Sequence, residues 1–178
     1  MQRNFGRVLG LGISGLLLTV STGVTQTRVG LEAAAGTIRS PFVVTEGSLS
    51  QPLTTDRTHG GRASFVFETK VSGDFVIMAF VNAPGTNSNT FYINIDAEPE
   101  DASMVWDVPA TKGFEERLVS WREPRDAGVQ RVARKVFHLL PGRHELIICG
   151  STAKTQLRSL QVVPLPKPPE NLHVVTGP

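Results

Sequence analysis

The side chains in this chain whose types and spacing bear on chemistry are planar ones. They are two tryptophans (Trp106 and Trp121), one tyrosine (Tyr92), and asparagines and arginines set among turn residues. A flat aromatic face accepts the C–H face of a polyhydroxylated ring, while amides and guanidinium groups order hydroxyls through directed hydrogen bonds. By loop position the candidates are Asn87, Asn89, Trp106, Trp121, Arg122 and the loop Gly150–Thr155, with Ser151 and Thr155 within it. Each has a plainer reading. Trp106, between Val105 and Val108, also fits a core or rim position. Asn82, Asn87, Asn89 and Asn94 also fit turns, because asparagine tolerates left-handed backbone and bonds its own chain. Trp121, at a strand end beside Arg122, is expected to be the more exposed tryptophan. Tyr92 alternates with Phe91 and Ile93 and belongs to a strand face.

The patterns that catalysis needs are missing. His59, His138, His144 and His173 show no metal-ligand spacing; His138 and His144 flank a Pro-Gly turn and read as solvated hairpin residues. Glu98, Glu100 and Asp101, like Glu115 and Glu116, fall in polar loops. No G-x-S-x-G elbow or phosphate-cradling glycine loop is present. Cys149 is the only cysteine, so an internal disulfide is excluded, and its apolar run predicts a buried, inert thiol. Lys112–Lys135 holds seven basic and four acidic residues. The mixed signs read as a solvated face, with arginine-fork binding of an acidic polysaccharide as the alternative. Without interleaved stacking aromatics, nucleic acid is not an expected partner.

Strands must position these residues. In Gly61–Asp96, Phe65 and Phe67 alternate with polar neighbours, Val71–Asp74 turns, and Phe75–Val81 is almost unbroken apolar sequence. After the loop Pro84–Asn89, Phe91, Ile93 and Ile95 alternate again. Three β-rich runs split by Gly, Pro and Asn predict antiparallel strands, the middle one central because it is apolar on both faces. Further strands are expected at Leu31–Ser40, Pro41–Thr45, Met104–Val108, Leu118–Arg122, Arg131–Leu140, Glu145–Cys149 and Leu157–Val163, with Glu46–Gly60 as a surface loop. Nine or ten short strands with no helix predict an all-β fold, a two-sheet antiparallel β-sandwich.

Met1–Arg7 carries two arginines, Val8–Thr27 carries no charge, and small residues follow the apolar part. That order is expected of a secretory signal peptide over 1–27, with an N-terminal membrane anchor as the alternative. Removing Arg3 and Arg7 takes the formal charge of +2 to 2 − 2 = 0, so the basic isoelectric point says little about partners. Residues 28–163 form the expected domain, secreted, periplasmic or at the cell surface. Residues 164–178, opening with P-L-P-K-P-P, read as an extended linker.

The order E-A-A-A-G, G-x-A-x-F-x-F, G-D-F-V-I-M-A-F-V-N-A-P, N-S-N-T-F-Y-I-N-I-D, V-W-D-V, L-V-S-W and L-P-G-R-H-E-L-I-I-C-G with T-Q-L-R-S-L-Q-V-V resembles a bacterial carbohydrate-binding module. The likeness is to the galactose-binding-like jelly rolls of families six and thirty-five, over Leu31–Val163. It implies non-catalytic recognition of a polysaccharide or glycan at loops on one end of the sandwich. It also implies a structural calcium. Glu32 matches the first acidic ligand, but Ala34 stands where a second glutamate is frequent, and Arg158 and Ser159 replace the usual aspartate. The alternative is a structural or adhesive cell-surface module that binds no free sugar, in which the chain is one piece of a larger multidomain protein.

Overall fold

The computed structural model describes residues 27–86, 89–123 and 131–166. The signal-or-anchor segment to residue 26, Asn87, the charged loop at 124–130 and the tail from 167 lie outside the described residues.

Fourteen strands form among the described residues: β1 (Val29–Glu32), β2 (Thr37–Arg39), β3 (Val43–Thr45), β4 (Ser48–Ser50), β5 (Arg62–Thr69), β6 (Gly73–Asn82), β7 (Thr90–Ile95), β8 (Val105–Asp107), β9 (Glu115–Leu118), β10 (Ser120–Arg122), β11 (Val132–Arg134), β12 (Phe137–Leu139), β13 (Gly142–Gly150) and β14 (Gln156–Pro164). The only helical elements among them are two single 3₁₀ turns, Ala33–Ala35 and Ala102–Met104. A seven-stranded sheet runs β12-β6-β14-β4-β3, with β1 also on β14 and β9 also on β6. A five-stranded sheet runs β2-β5-β13-β7-β8, and β10 pairs with β11 in a separate ribbon.

The period-2 pattern decides which face is buried. On β6, Phe75, Ile77, Ala79 and Val81 are buried in one cluster with Leu160 and Val162 of β14. Phe65 and Phe67 of β5, Ile93 of β7, and Leu146 and Ile148 of β13 enter the same cluster from the other sheet. The two sheets therefore close on one core, each large apolar side chain contributing about 1.5–3 kcal/mol by leaving water. The expected all-β sandwich is the observed fold, and β6 is an interior strand, with neighbours on both edges.

Four expected elements differ. Leu31–Ser40 is not one strand: the 3₁₀ turn Ala33–Ala35 separates the end of β1 from β2, and the two join different sheets. Glu46–Gly60 is not all loop: Ser48–Ser50 forms β4, and Leu49 is fully buried against the core. Leu118–Arg122 divides at Val119 into β9 and β10, which join different sheets. Arg131–Leu140 divides the same way into β11 and β12. A chain that changes sheets mid-run keeps its strand composition, so periodicity alone does not mark the break. Buried Val119 is the crossing point, its N–H donating to the Ile77 carbonyl and its carbonyl accepting from Lys135 N–H.

Candidate functional site

One end of the sandwich gathers the segments 51–61, 83–86, 108–114 and 151–155. Neutral hydrogen bonds between short polar groups fasten them. Gln51 is the hub, with 2% of its surface exposed. Its Nε2 donates to the carbonyls of Leu53 (2.7 Å) and Ser151 (3.1 Å) and to Thr55 Oγ1 (3.0 Å), and its Oε1 accepts from Gly61 N–H (3.1 Å). The fit excludes larger residues nearby: a Cβ on Gly150 would lie 1.9 Å from Gln51 Oε1, and one on Gly60 would lie 2.0 Å from the Gly150 carbonyl oxygen. Thr152 Oγ1 accepts from Thr90 N–H at 2.8 Å and meets Thr155 Oγ1 at 3.0 Å.

Between these segments lies a depression of about 440 Å³, lined by Val43, Ser50, Pro52, Asn82, Lys154 and Gln156, with Gln51 at its floor and Pro84 at its rim. A second depression, of about 370 Å³, lies on the outer face of the seven-stranded sheet, where Met78, Phe80, Glu116, Ser159 and Gln161 meet. Its aromatic surface is already engaged: Phe80 packs on Phe114 at 5.5 Å between centroids, and the Arg158 guanidinium lies 4.2 Å from the Phe114 centroid.

The residues expected from sequence do not converge on either depression. Trp106 is corrected outright. It is 0% exposed, stacked on Phe91 with centroids 6.0 Å apart, and its Nε1 has no partner among the described residues. Both ring faces are closed to a ligand, because V-W-D places Trp106 on the core face of β8. Trp121 is half-buried rather than exposed: its Nε1 donates to the Ile93 carbonyl at 3.1 Å, and its ring meets Phe137 edge-on. Lys135 Nζ sits 3.7 Å from the Trp121 centroid, and burial holds the Lys135 pKa below its ordinary value.

Arg122 is committed to Asp107 by two bonds of 2.6 Å, which raise the guanidinium pKa against the opposing effect of burial. Asn89 spends its amide on the Val108 carbonyl at 3.0 Å and on Thr90 Oγ1. Thr155 is fully buried, and the Ser151 carbonyl accepts from Thr55 N–H and Gln51 Nε2. The loop Gly150–Thr155 nonetheless reaches the loop-end depression, through Lys154. The residues that sequence reading missed are Gln51, Asn82 and Gln156, while Lys154 belongs to the expected loop without having been singled out. Asn82 and Gln156 were detectable as polar residues ending an apolar strand and opening the next.

Calcium does not fit. Among the described residues no three His, Cys, Asp or Glu side chains gather as ligands. Glu32 stands opposite Ser159 in the β1–β14 ladder, and one carboxylate falls far short of about six to eight oxygens.

The opposite end holds a different device. His144 is 9% exposed, not solvated as its hairpin position suggested. Its Nδ1 lies 2.6 Å from Asp96 Oδ2 and its Nε2 lies 2.8 Å from the Leu140 carbonyl. Burial pulls the His144 pKa down, but bonds from both nitrogens to acceptors outweigh it, and the value is raised. Thr69 Oγ1 is 3.1 Å from the same Nε2, which brings an acid, an imidazole and a hydroxyl into line. That alignment is no nucleophile: Thr69 is buried and donates to the Leu140 carbonyl at 2.6 Å. Cys149 is equally inert, its thiol pushed up to about 11 chiefly by burial.

No protein-family model matches the chain, and no curated protein matches its sequence. The likeness to known proteins is structural. A GH26-CBM35 β-(1,4)-mannanase from Podospora anserina superposes with a TM-score of 0.53 at 12% identity, over 80% of this chain and 29% of that one. The fold is the β-sandwich of carbohydrate-binding modules. A ruminal GH26 endo-β-1,4-mannanase gives 0.50 at 12% identity, over 81% of this chain and 27% of that one. A family 35 carbohydrate-binding module from Clostridium thermocellum is covered over 99% of its length and 78% of this chain, at 15% identity and a TM-score of 0.47. This chain thus spans under a third of either mannanase.

Proposed function

We propose that the chain is an exported, non-catalytic carbohydrate-binding module that takes a glycan at the loop end of the sandwich. The loop-end depression carries this reading. Its volume of about 440 Å³ falls within the range of about 300–1,000 Å³ typical of small-molecule sites. Apolar Val43, Pro52 and Pro84 offer surface for C–H faces, while Asn82, Gln156, Ser50 and Lys154 offer groups for hydroxyls. The hydrogen bonds around Gln51 hold the walls in place before a ligand arrives, which lowers the ordering cost of binding. With both tryptophans engaged in packing, affinity rests on hydrogen bonds and aliphatic contact and is expected to be weak. No paired acids face each other across this depression, so the site binds without cleaving. Nucleic acid is not a partner of this reading.

A second reading has its own observation. Val43, Val44 and Leu53 expose apolar side chains beside the same end, on and near the edge strand β3. Such an edge suits a structural or adhesive module that pairs with another protein.

A glycan array with the full chain separates the two. Binding to a defined sugar class, lost on Asn82→Ala with Gln156→Ala in a folded protein, supports the module. A silent array together with dimerisation overturns it in favour of the structural reading.

A further inference from the structure

The hydrogen-bond order around Asn82 settles which groups face the loop-end depression. Ala83 N–H donates to Thr111 Oγ1 at 2.8 Å, which leaves the Thr111 hydroxyl proton free for Asn82 Oδ1 at 3.3 Å. The Asn82 oxygen is thereby fixed as an acceptor, so its Nδ2 donates across to Gln156 Oε1 at 2.9 Å. Gln156 has then spent its oxygen, and its Nε2, with two N–H groups, has no partner among the described residues. A relay that begins at one backbone N–H thus presents a donor to the depression.

Lys154 presents a second. Its φ of +70° lies in the left-handed region, where side chains other than Gly and Asn are costly. Buried Thr155 on one side and a bond from Lys154 N–H to the Gln51 carbonyl at 3.3 Å hold it there. Lys154 is in no ion pair among the described residues, and none of the eight lining residues is acidic. Gln51 has both ends of its amide occupied. The free polar groups are therefore an ammonium, an amide NH₂ and the Ser50 hydroxyl: donors in excess, with one positive charge and no carboxylate to neutralise it. The sheet-face depression has the opposite character, because Glu116 lies in its lining.

We infer that the loop-end site selects an anionic saccharide, with its carboxylate or sulfate group on Lys154 Nζ and Gln156 Nε2. This rests on the glycan reading above and names the class of glycan. Charge-assisted bonds of this kind are the stronger ones and need no metal between sugar and protein.

The test is calorimetric titration of the full chain with three ligands of equal length: tetragalacturonate (carboxylate), a κ-carrageenan tetrasaccharide (sulfate) and mannotetraose (neutral). The expected result is that an anionic ligand binds at least about tenfold more tightly than mannotetraose, an advantage that shrinks in high salt. The two anionic arms tell carboxylate from sulfate. Lys154→Ala should erase the advantage and Lys154→Arg should keep it. Gln156→Glu should weaken anionic binding alone, with circular dichroism confirming the fold. Equal affinity for mannotetraose, or an advantage that survives Lys154→Ala, overturns the inference while the glycan reading stands. Silence towards both anionic ligands overturns it whatever the glycan array shows.

Discussion

At the loop end of the sandwich, Gln51, Thr111 and Thr152 join four connecting segments through uncharged hydrogen bonds. At the opposite end, β5, β7 and β13 are joined through one buried imidazole, His144, clamped between the Asp96 carboxylate and the Leu140 carbonyl. Neutral amides and hydroxyls do not titrate, so these bonds persist at any ordinary pH. Lys154, the one charged residue lining the depression there, is in no ion pair among the described residues. The imidazole clamp turns both ring nitrogens to acceptors that hold strands together and leaves neither for a ligand. The end proposed for recognition is the one whose hub hydrogen bonds join uncharged groups.

The largest effect that would break this contrast is at His144. Replacing it with alanine leaves a cavity and orphans two acceptors, and should cost about 3 kcal/mol in urea unfolding. The pH dependence follows from the raised histidine pKa. The clamp's contribution is complete below the ordinary histidine value and is lost as pH rises through the raised one. The unfolding midpoint of the native chain should therefore fall across that interval, and that of His144→Gln should not. Parallel pH profiles would end the ionic account of this end.

Gln51→Ala comes next, at about 2 kcal/mol for several unpaired groups at the loop end. That loss should be the same at mildly acidic and neutral pH, and a loss that varied with pH would erase the distinction between the ends. Trp121→Phe should cost about 1 kcal/mol by orphaning the Ile93 carbonyl, without any change in glycan affinity. An affinity loss there would return Trp121 to the site. Lys154→Gly is the smallest in stability: relief of the left-handed backbone offsets the added freedom of the unfolded chain, so the unfolding midpoint should move by less than about 1 kcal/mol. A large destabilisation would mean that Lys154 braces the loop rather than serves a ligand.

Much of the fold was legible because period-2 alternation in Phe65–Phe67 and Phe91–Ile95 reports directly which side of a pleat meets the core. β4 was missed because Ser-Leu-Ser gives a single apolar residue, too little for a pattern, though Leu49 is fully buried. The site was less legible. Aromatic residue type pointed to Trp106 and Trp121, yet the same large apolar surface that suits a sugar also suits a core, and the core claimed Trp106 entirely. Gln51 carries no local signal, since its role depends on partners 10 and 100 residues away, and the polar strand ends Asn82 and Gln156 gave no sign that they pair across 74 residues.

The amino-acid order by itself determined the β class, the central place of Phe75–Val81, the lack of a disulfide within this sequence and the absence of catalytic motifs from it. Those properties follow from composition and short-range alternation, which act between neighbours in the chain. Only the tertiary structure decided which tryptophan was buried, that His144 is a clamp, that Glu32 has no fellow calcium ligands among the described residues, and that Lys154 and Gln156 share one depression. Each of these depends on hydrogen bonds, burial and charge between segments far apart in the chain, and such terms exist only once the two sheets have closed.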